Sequence, residues 1–165
     1  MKIRTGFVSN SSSSSFIVAF PKKVETVEEL KQMLFGDDNF YLRPYPSAHY
    51  ELSYSCLEVA KTVFSDMQNK CLTRQDIQRQ LHRGYLHKGP DSDDFRDPVT
   101  DKLDWNAYET ARDKYADKLA VKFIAQNPNK YFYVFEYSDE NGPYEAALEH
   151  GDLFEKLPYI RVSHH

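Results

Sequence analysis

The sequence feature that most constrains the fold is a short apolar run near the start of the chain. Residues 16–20, Phe-Ile-Val-Ala-Phe, contain no polar side chain, and Pro21 follows them directly. A run of this length that is rich in strand-favouring residues and ends at a proline predicts a buried β-strand over 15–20. The fold class then depends on which strands and helices the rest of the chain supplies as partners.

Two helices are predicted from capping boxes, in which a threonine is followed three positions later by an acid. A glycine then ends each apolar pattern. The two sets are Thr26 and Glu29 before Gly36, and Thr73 and Asp76 before Gly84. In the second helix, Ile77 and Leu81 are expected to face inward.

Two longer helices are predicted from apolar stripes at helical spacing. Over 55–71 the stripe consists of Leu57, Ala60, Phe64, Met67 and Cys71. Over 105–126 the expected buried face consists of Trp105, Tyr108, Tyr115, Leu119 and Phe123.

Further strands are predicted over 130–138 and 159–163, and the short helix predicted between them is interrupted or ends near Gly151. Residues 39–45 contain Pro44 and are interpreted as an edge strand or an extended loop. Residues 84–104 contain two glycines, two prolines and six aspartates, which predicts a long loop. The 165 residues therefore predict one α+β domain, with a small, mostly antiparallel sheet covered by helices.

Composition excludes several classes of protein. The net charge of −4 argues against nucleic-acid binding through overall charge. Cys56 and Cys71 form neither a disulfide framework nor a zinc-binding CxxC motif. The chain has no apolar segment of about 20 residues and no apolar leader, so we expect no membrane partner and a cytoplasmic location in a bacterial cell.

A tract of five serines, residues 11–15, precedes the apolar run. The favoured interpretation is a flexible hairpin connection over Ser11–Ser14, with its hydroxyls in water. The alternative is an anion-binding loop built from the N–H and O–H groups of Ser11, Ser12, Ser13 and Ser14. The tract lacks the glycines that let a backbone approach a phosphate, which disfavours this alternative.

The block Arg-Thr-Gly-Phe-Val-Ser-Asn, five serines and Phe-Ile-Val, residues 4–18, resembles the N-terminus of many uncharacterised proteins of bacteriophages and bacteria. The resemblance covers about a tenth of the chain. It implies a phage or bacterial intracellular origin, and it implies no activity. A tract inside such a block is a candidate for processing, modification or partner binding.

The densest group of metal-ligating side chains lies near the C-terminus: Glu149, His150, Asp152 and His164. Carboxylates and imidazoles together can hold a divalent metal ion. Strand alternation places His164 and His165 on opposite faces, so only one of them can join His150. The alternative interpretation is an exposed histidine at a helix end, followed by a frayed tail or a tag remnant.

One basic patch stands out in this acidic chain. Five cations lie between residues 70 and 88, and Arg79 and Arg83 are four apart and share a helix face. Such a face binds an acidic protein surface or nucleic acid, and in many helices it is only solvated.

No nucleophile, phosphate-loop or dinucleotide motif is present in the sequence. Our first functional hypothesis is therefore that the protein binds a macromolecular partner, a protein before a nucleic acid, and is not an enzyme. One alternative is a metal-dependent hydrolase or nuclease that uses the C-terminal cluster. Another is nucleic-acid binding through the helix over 73–83.

Overall fold

The computed structural model describes residues 13–42, 53–67, 71–86 and 88–164. Within these ranges the chain forms five α-helices and five β-strands, which confirms the α+β class. In chain order they are β1 (Ser13–Phe20), α1 (Val27–Phe35), β2 (Phe40–Leu42), β3 (Ser53–Ser55), α2 (Cys56–Asp66), α3 (Arg74–His82), α4 (Trp105–Gln126), β4 (Tyr131–Ser138), α5 (Pro143–His150) and β5 (Tyr159–Ser163).

Three strands form one antiparallel sheet, in which β1 lies between β4 and β5. Ser13 pairs with Ser138 in β4, and Ser14 pairs with Ser163 in β5. Both C-terminal strands therefore lie where the sequence predicts them. The short strands β2 and β3 form a separate antiparallel pair, which confirms the strand interpretation for the described part of 39–45.

Helices cover both faces of β1. Side chains alternate along a strand, so Phe16, Val18 and Phe20 share one face, while Ile17 and Ala19 share the other. The first set packs with α1, α2 and α5, and we call this side the α5 face. The second set packs with α3 and α4, and we call this side the α4 face.

The described part of the serine tract belongs to β1. Ser14 and Ser15 have no exposed surface, so the interpretation of Ser13 and Ser14 as a solvated hairpin loop is wrong. The strand extends back to Ser13 because β4 and β5 supply pairing partners for its backbone. Ser11 and Ser12 lie outside the described residues.

The capping boxes identify two helix starts correctly. At α3 the box is reciprocal: Thr73 Oγ1 accepts from the Asp76 N–H, and the Asp76 carboxylate accepts from the Thr73 N–H. At α1, Thr26 Oγ1 accepts from the Glu29 N–H. The inward positions of Ile77 and Leu81 in α3 are also confirmed.

The buried faces of the two longer helices match the predicted stripes only in part. In the first stripe, Ala60 and Met67 are buried as predicted. Helix α2 ends at Asp66, five residues early, and it buries Val59 and Val63 while Leu57 is 38% exposed. Both faces of this segment carry apolar residues at helical spacing, so periodicity alone could not choose between them.

Helix α4 has the predicted bounds, but its first residue, Trp105, is 64% exposed. Its buried positions include Ala116 and Ala120, whose small side chains allow close packing against the α3 side of the core. Tyr108 and Phe123 are buried as predicted, and Tyr115 and Leu119 pack against the same core. The prediction is wrong for Trp105 and missed the two alanines, because it followed the large apolar residues.

The described residues also show the state of the two cysteines and the lengths of the helices. Cys56 and Cys71 are free thiols. None of the helices in the described ranges is long and apolar enough to cross a membrane.

Candidate ligand-binding sites at the serine end of the sheet

The serine end of the sheet is where β1 begins and β4 and β5 finish. Because the strands are antiparallel, Ser13 lies beside Ser138, and the residue after β5, His164, donates its N–H to the Ser13 carbonyl. The topology therefore brings the start of the described chain next to its end. Polar residues from both termini of the sequence meet here.

On the α5 face, Ser14 joins a buried polar network. Its hydroxyl donates to Glu149 Oε1 at 3.0 Å and accepts from Arg161 Nε at 3.0 Å. Arg161 Nη2 also lies 3.6 Å from Glu149 Oε1. Glu149 has no exposed surface, so the hydroxyl and the guanidinium compensate a carboxylate that water cannot reach.

The orientation of Arg161 is set by an aromatic ring. Its guanidinium carbon lies 5.6 Å from the centre of the Phe16 ring, within the range of a cation–π contact. Phe16 and Arg161 are paired residues of β1 and β5, which places them on the same face of the sheet. The arginine is thus held over the ring while its Nε reaches Ser14.

His150 and Asp139 lie beside this network. His150 Nε2 is 3.5 Å from Glu149 Oε2 and 3.8 Å from Asp139 Oδ2. One ligand atom from each of these three side chains falls within a group no wider than 4.8 Å. Asp139 follows β4 directly, whereas Glu149 and His150 end α5, so two adjacent elements supply the group.

The structure thus brings together only half of the C-terminal cluster considered in the sequence. Glu149 and His150 are adjacent, but Asp152 lies beyond the end of α5 and outside the group. Burial of the phenol raises the pKa of Tyr41, and the negative charge of Asp152 raises it further. His164 lies on the α4 face, with the sheet between it and His150. His165 lies outside the described residues.

Ser15 and His164 form a close pair on the α4 face. Ser15 Oγ is 2.7 Å from His164 Nε2, a spacing that serine nucleophiles share with their base. Ser15 has no exposed surface, however, so a substrate cannot reach its hydroxyl. The bond therefore fixes the imidazole in place and does not indicate an active site.

Gly84 lets the end of α3 approach β5. A Cβ at this position would lie 2.6 Å from the Ser163 carbonyl oxygen and 2.8 Å from His164 Nδ1. The next residue, Tyr85, forms a bridge to Ser163 with two backbone hydrogen bonds. This contact holds Arg83 beside His164.

A cavity of about 690 Å³ opens at this junction, and we call it the arginine cavity. Its walls come from the end of α3, the segment 84–104, the start of α4 and the end of β5. They comprise Arg83, Gly84, Tyr85, Ser92, Arg96, Leu103, Trp105, Tyr108, Arg112, Ser163 and His164. Among the described residues that line it, three are arginines, three are aromatic and none is acidic.

The three arginines differ in how far their charge is compensated. Arg96 is held by Asp93, at 3.0 Å from its Nε, and by the Asp101 carbonyl. Arg112 has a buried Nε without a hydrogen-bond partner in the structure, although its Nη2 lies 3.9 Å from Asp113. Arg83 has no ion-pair partner anywhere in the described ranges.

The described part of 84–104, which leaves out residue 87, contains one 3-10 turn at Ser92–Phe95. Within it, Arg96 and Leu103 form a backbone bridge, and Asp97 caps the turn between them. Hydrogen bonds from the N–H groups of Thr100 and Val99 lower the pKa of the Asp97 carboxyl. The loop is thereby shaped into one wall of the arginine cavity.

The two arginines singled out in the sequence have different surroundings. Arg79 pairs with Asp76 at 3.4 Å on an exposed part of α3. Together with Arg83 it lines a second cavity of about 590 Å³, which also contains Asp66, Asp76 and Glu136 and is therefore mixed in charge. A third cavity, of about 530 Å³, includes Ser13, Ser14 and His164. Arg83 is shared by all three cavities.

Several functional candidates escaped the sequence analysis. Arg96 and Arg112 lie in a loop and a helix with no motif, and Asp139 and Arg161 had no partner within their own segments. The high aromatic content was the one available signal, and it did not indicate which rings would be exposed.

Comparison with protein-family models, with curated proteins and with solved structures gave no match. The functional proposal below is therefore based only on the geometry and charges of the serine end.

Proposed function

We propose that the protein binds single-stranded nucleic acid, and that the arginine cavity holds one nucleotide of the strand. The observation that carries this proposal is the composition of the cavity: three arginines and three aromatic rings without a carboxylate among its described lining residues. The first hypothesis from the sequence is a protein partner; this proposal takes the nucleic-acid alternative and places the site in the arginine cavity and not on the helix over 73–83.

Each part of a nucleotide has a counterpart in the walls. Guanidinium groups bind phosphate oxygens in pairs, and Arg83 and Arg112 line the cavity with incompletely compensated charge. Tyr85 and Trp105 are 50% and 64% exposed, which leaves ring faces open for a base to stack on. The volume of about 690 Å³ lies in the range of small-ligand sites.

A single strand fits these features better than a duplex. A duplex binder usually presents an extended basic surface, whereas this chain has a net charge of −4. Helix α3 is also a poor recognition helix, because Ile77 and Leu81 are buried and Arg79 is paired with Asp76. A localised cavity with exposed rings instead suits unstacked bases.

The phage or bacterial origin and the cytoplasmic location belong to this proposal as expectations from the N-terminal block. A protein partner for the same cavity remains the competing hypothesis. It predicts that an acidic peptide surface, without bases, occupies the arginines and leaves Trp105 unstacked.

The test uses Trp105, the one tryptophan of the chain, as a reporter inside the site. A fluorescein-labelled oligothymidylate of about ten nucleotides is titrated onto the full-length protein. We expect a rise in anisotropy together with quenching of the Trp105 emission. If Arg83 and Arg112 each contact one phosphate, the logarithm of the binding constant should fall with the logarithm of salt concentration with a slope of about −1.4.

The matched variants separate the cavity from general charge. The double variant Arg83→Ala and Arg112→Ala should lose at least about tenfold in affinity and flatten the salt dependence. Arg74→Ala removes an exposed arginine of the same basic patch and should bind almost as the parent chain does. Equal losses in both variants, or no binding of the oligonucleotide at low salt, would overturn the proposal.

A further inference from the structure

We infer that Asp139, Glu149 and His150 form a binding site for one divalent transition-metal ion, of which Zn²⁺ fits best. This site lies on the α5 face and is independent of the proposed nucleic-acid binding. It replaces the ligand set considered in the sequence, because Asp139 takes the place of Asp152 and His164.

The ligand atoms are spaced at ion-pair distances that are also close to the spacing of two ligands on one metal ion. His150 Nε2 lies 3.5 Å from Glu149 Oε2 and 3.8 Å from Asp139 Oδ2. Two ligands about 2.1 Å from one zinc ion at tetrahedral angles are about 3.4 Å apart. The whole group spans 4.8 Å at most, so a small inward movement of side chains would bring three ligands onto one ion.

The buried carboxylate is already oriented for this role. Ser14 and Arg161 both contact Oε1 of Glu149, and the other oxygen, Oε2, is the one that faces His150. Metal-ligating carboxylates are commonly held in this way by neighbouring hydrogen bonds. Arg161 brings one positive charge against the two carboxylates, which leaves the group net negative when His150 is neutral.

The donor set indicates the class of metal. One imidazole and two carboxylates suit zinc or manganese, whereas calcium takes six to eight oxygen ligands. Three protein ligands also leave a fourth position open for water, as in zinc sites that are not purely structural.

The first experiment is calorimetric titration of ZnCl₂ into metal-free, full-length protein. We expect one equivalent to bind, with loss of at least about tenfold in affinity in His150→Ala and in Asp139→Asn. Both residues are half-buried, so these variants should fold, whereas a variant of the fully buried Glu149 is less suitable. Circular dichroism and thermal melting verify that each variant is folded.

Two controls locate the ion. Asp152→Asn alters a nearby carboxylate outside the group and should bind zinc normally. The double variant His164→Ala and His165→Ala should also retain binding, which excludes the histidines at the chain end as the ligands. The inference is wrong if no zinc binds, if His150→Ala binds as the parent does, or if removal of the two terminal histidines abolishes binding.

Cobalt provides an independent readout of the ligand sphere. Co²⁺ in a tetrahedral protein site with a histidine ligand absorbs visible light more strongly than hydrated cobalt does. We expect this absorption in the parent protein and in Asp152→Asn, and its loss in His150→Ala. Hydrated-cobalt spectra in all three proteins would contradict the inference.

Discussion

Ser14 and Ser15 are neighbours in β1, yet their hydroxyls enter opposite faces of the sheet and meet different electrostatic surroundings. On the α5 face, Ser14 contacts a carboxylate that has no exposed surface and an arginine paired with it. On the α4 face, Ser15 contacts His164 at the edge of a cavity lined by arginines. The Ser14 hydroxyl therefore lies beside a buried carboxylate, whereas the Ser15 hydroxyl lies beside a cavity with three arginines.

The difference shows how one strand of a chain with modest net charge can separate carboxylates from arginines. The alternation of side chains along a strand separates the two surroundings by only the thickness of the sheet. On the α5 face, burial makes each charge depend on a partner. On the α4 face, Arg83 and Arg112 line a cavity of about 690 Å³ that has no acidic side chain among its described lining residues.

The largest effect is expected from removing the buried charge. Glu149→Ala would leave the Ser14 hydroxyl and the Arg161 guanidinium without their carboxylate and would open a void in the core. We expect the free energy of unfolding to fall by about 3 kcal/mol, since Arg161 is 38% exposed and can regain water. Urea denaturation followed by circular dichroism measures this loss.

Two variants calibrate the Glu149 result. Glu149→Gln keeps an acceptor for Ser14 and should lose less than the alanine variant. Glu155→Ala removes an exposed carboxylate after α5 and should change stability by no more than about 0.5 kcal/mol. A Glu149→Ala protein as stable as Glu155→Ala would show that the network on the α5 face does not hold the fold.

The two serines allow a direct comparison of the faces. Ser14→Ala removes a hydrogen bond to a buried carboxylate and should cost about 2 kcal/mol, whereas Ser15→Ala removes a bond to a half-buried imidazole and should cost about 1 kcal/mol. Ser65→Ala, on the exposed side of α2, is the control for loss of a hydroxyl. The comparison of the faces fails if Ser15→Ala is the more damaging of the two.

The smallest effect concerns Asp66, which ends α2 and lines the mixed-charge cavity. Burial raises the pKa of its carboxyl, even though Arg79 and Arg83 line the same cavity. Because the folded chain binds this proton more tightly than the unfolded chain, the stability from this group is present at low pH and is lost as pH rises through the folded pKa.

Asp66→Asn should therefore melt slightly above the parent protein at pH 7.5, where it also removes a negative charge from a helix C-terminus. The difference should shrink at pH 4. Melting curves of both proteins at the two pH values measure this difference. A difference in melting temperature that grows as the pH falls would contradict the predicted pH dependence.

Local patterns in the sequence predicted most of the helices and strands. The bounds of α4 and β5, the capping box of α3 and the buried run of β1 each depend on residues that are close in the chain, and all were predictable. The buried face of α2 was not, because apolar residues occupy two of its faces and only tertiary packing selects one.

The candidate sites depend on contacts between distant segments. Ser14 and Glu149 are 135 positions apart, and Ser15 and His164 are 149 apart. Arg79 and Arg83 could be singled out because they are four apart on one helix, whereas Arg96 and Arg112 join Arg83 only when the loop and α4 fold around it. The pairing of β1 with β5 brings the residues of the serine contacts together, and no pattern in the sequence predicted that pairing.

The position of β1 between two late strands has a consequence for the synthesis of the protein. Its residues leave the ribosome more than 100 residues before their pairing partners, which follow after residue 130. The sheet therefore forms through contacts of high sequence separation, which slow folding. Until then an uncharged segment, Phe16–Phe20, is a target for intermolecular β-pairing. A chain interrupted before β4 would therefore leave this segment unprotected and prone to aggregate.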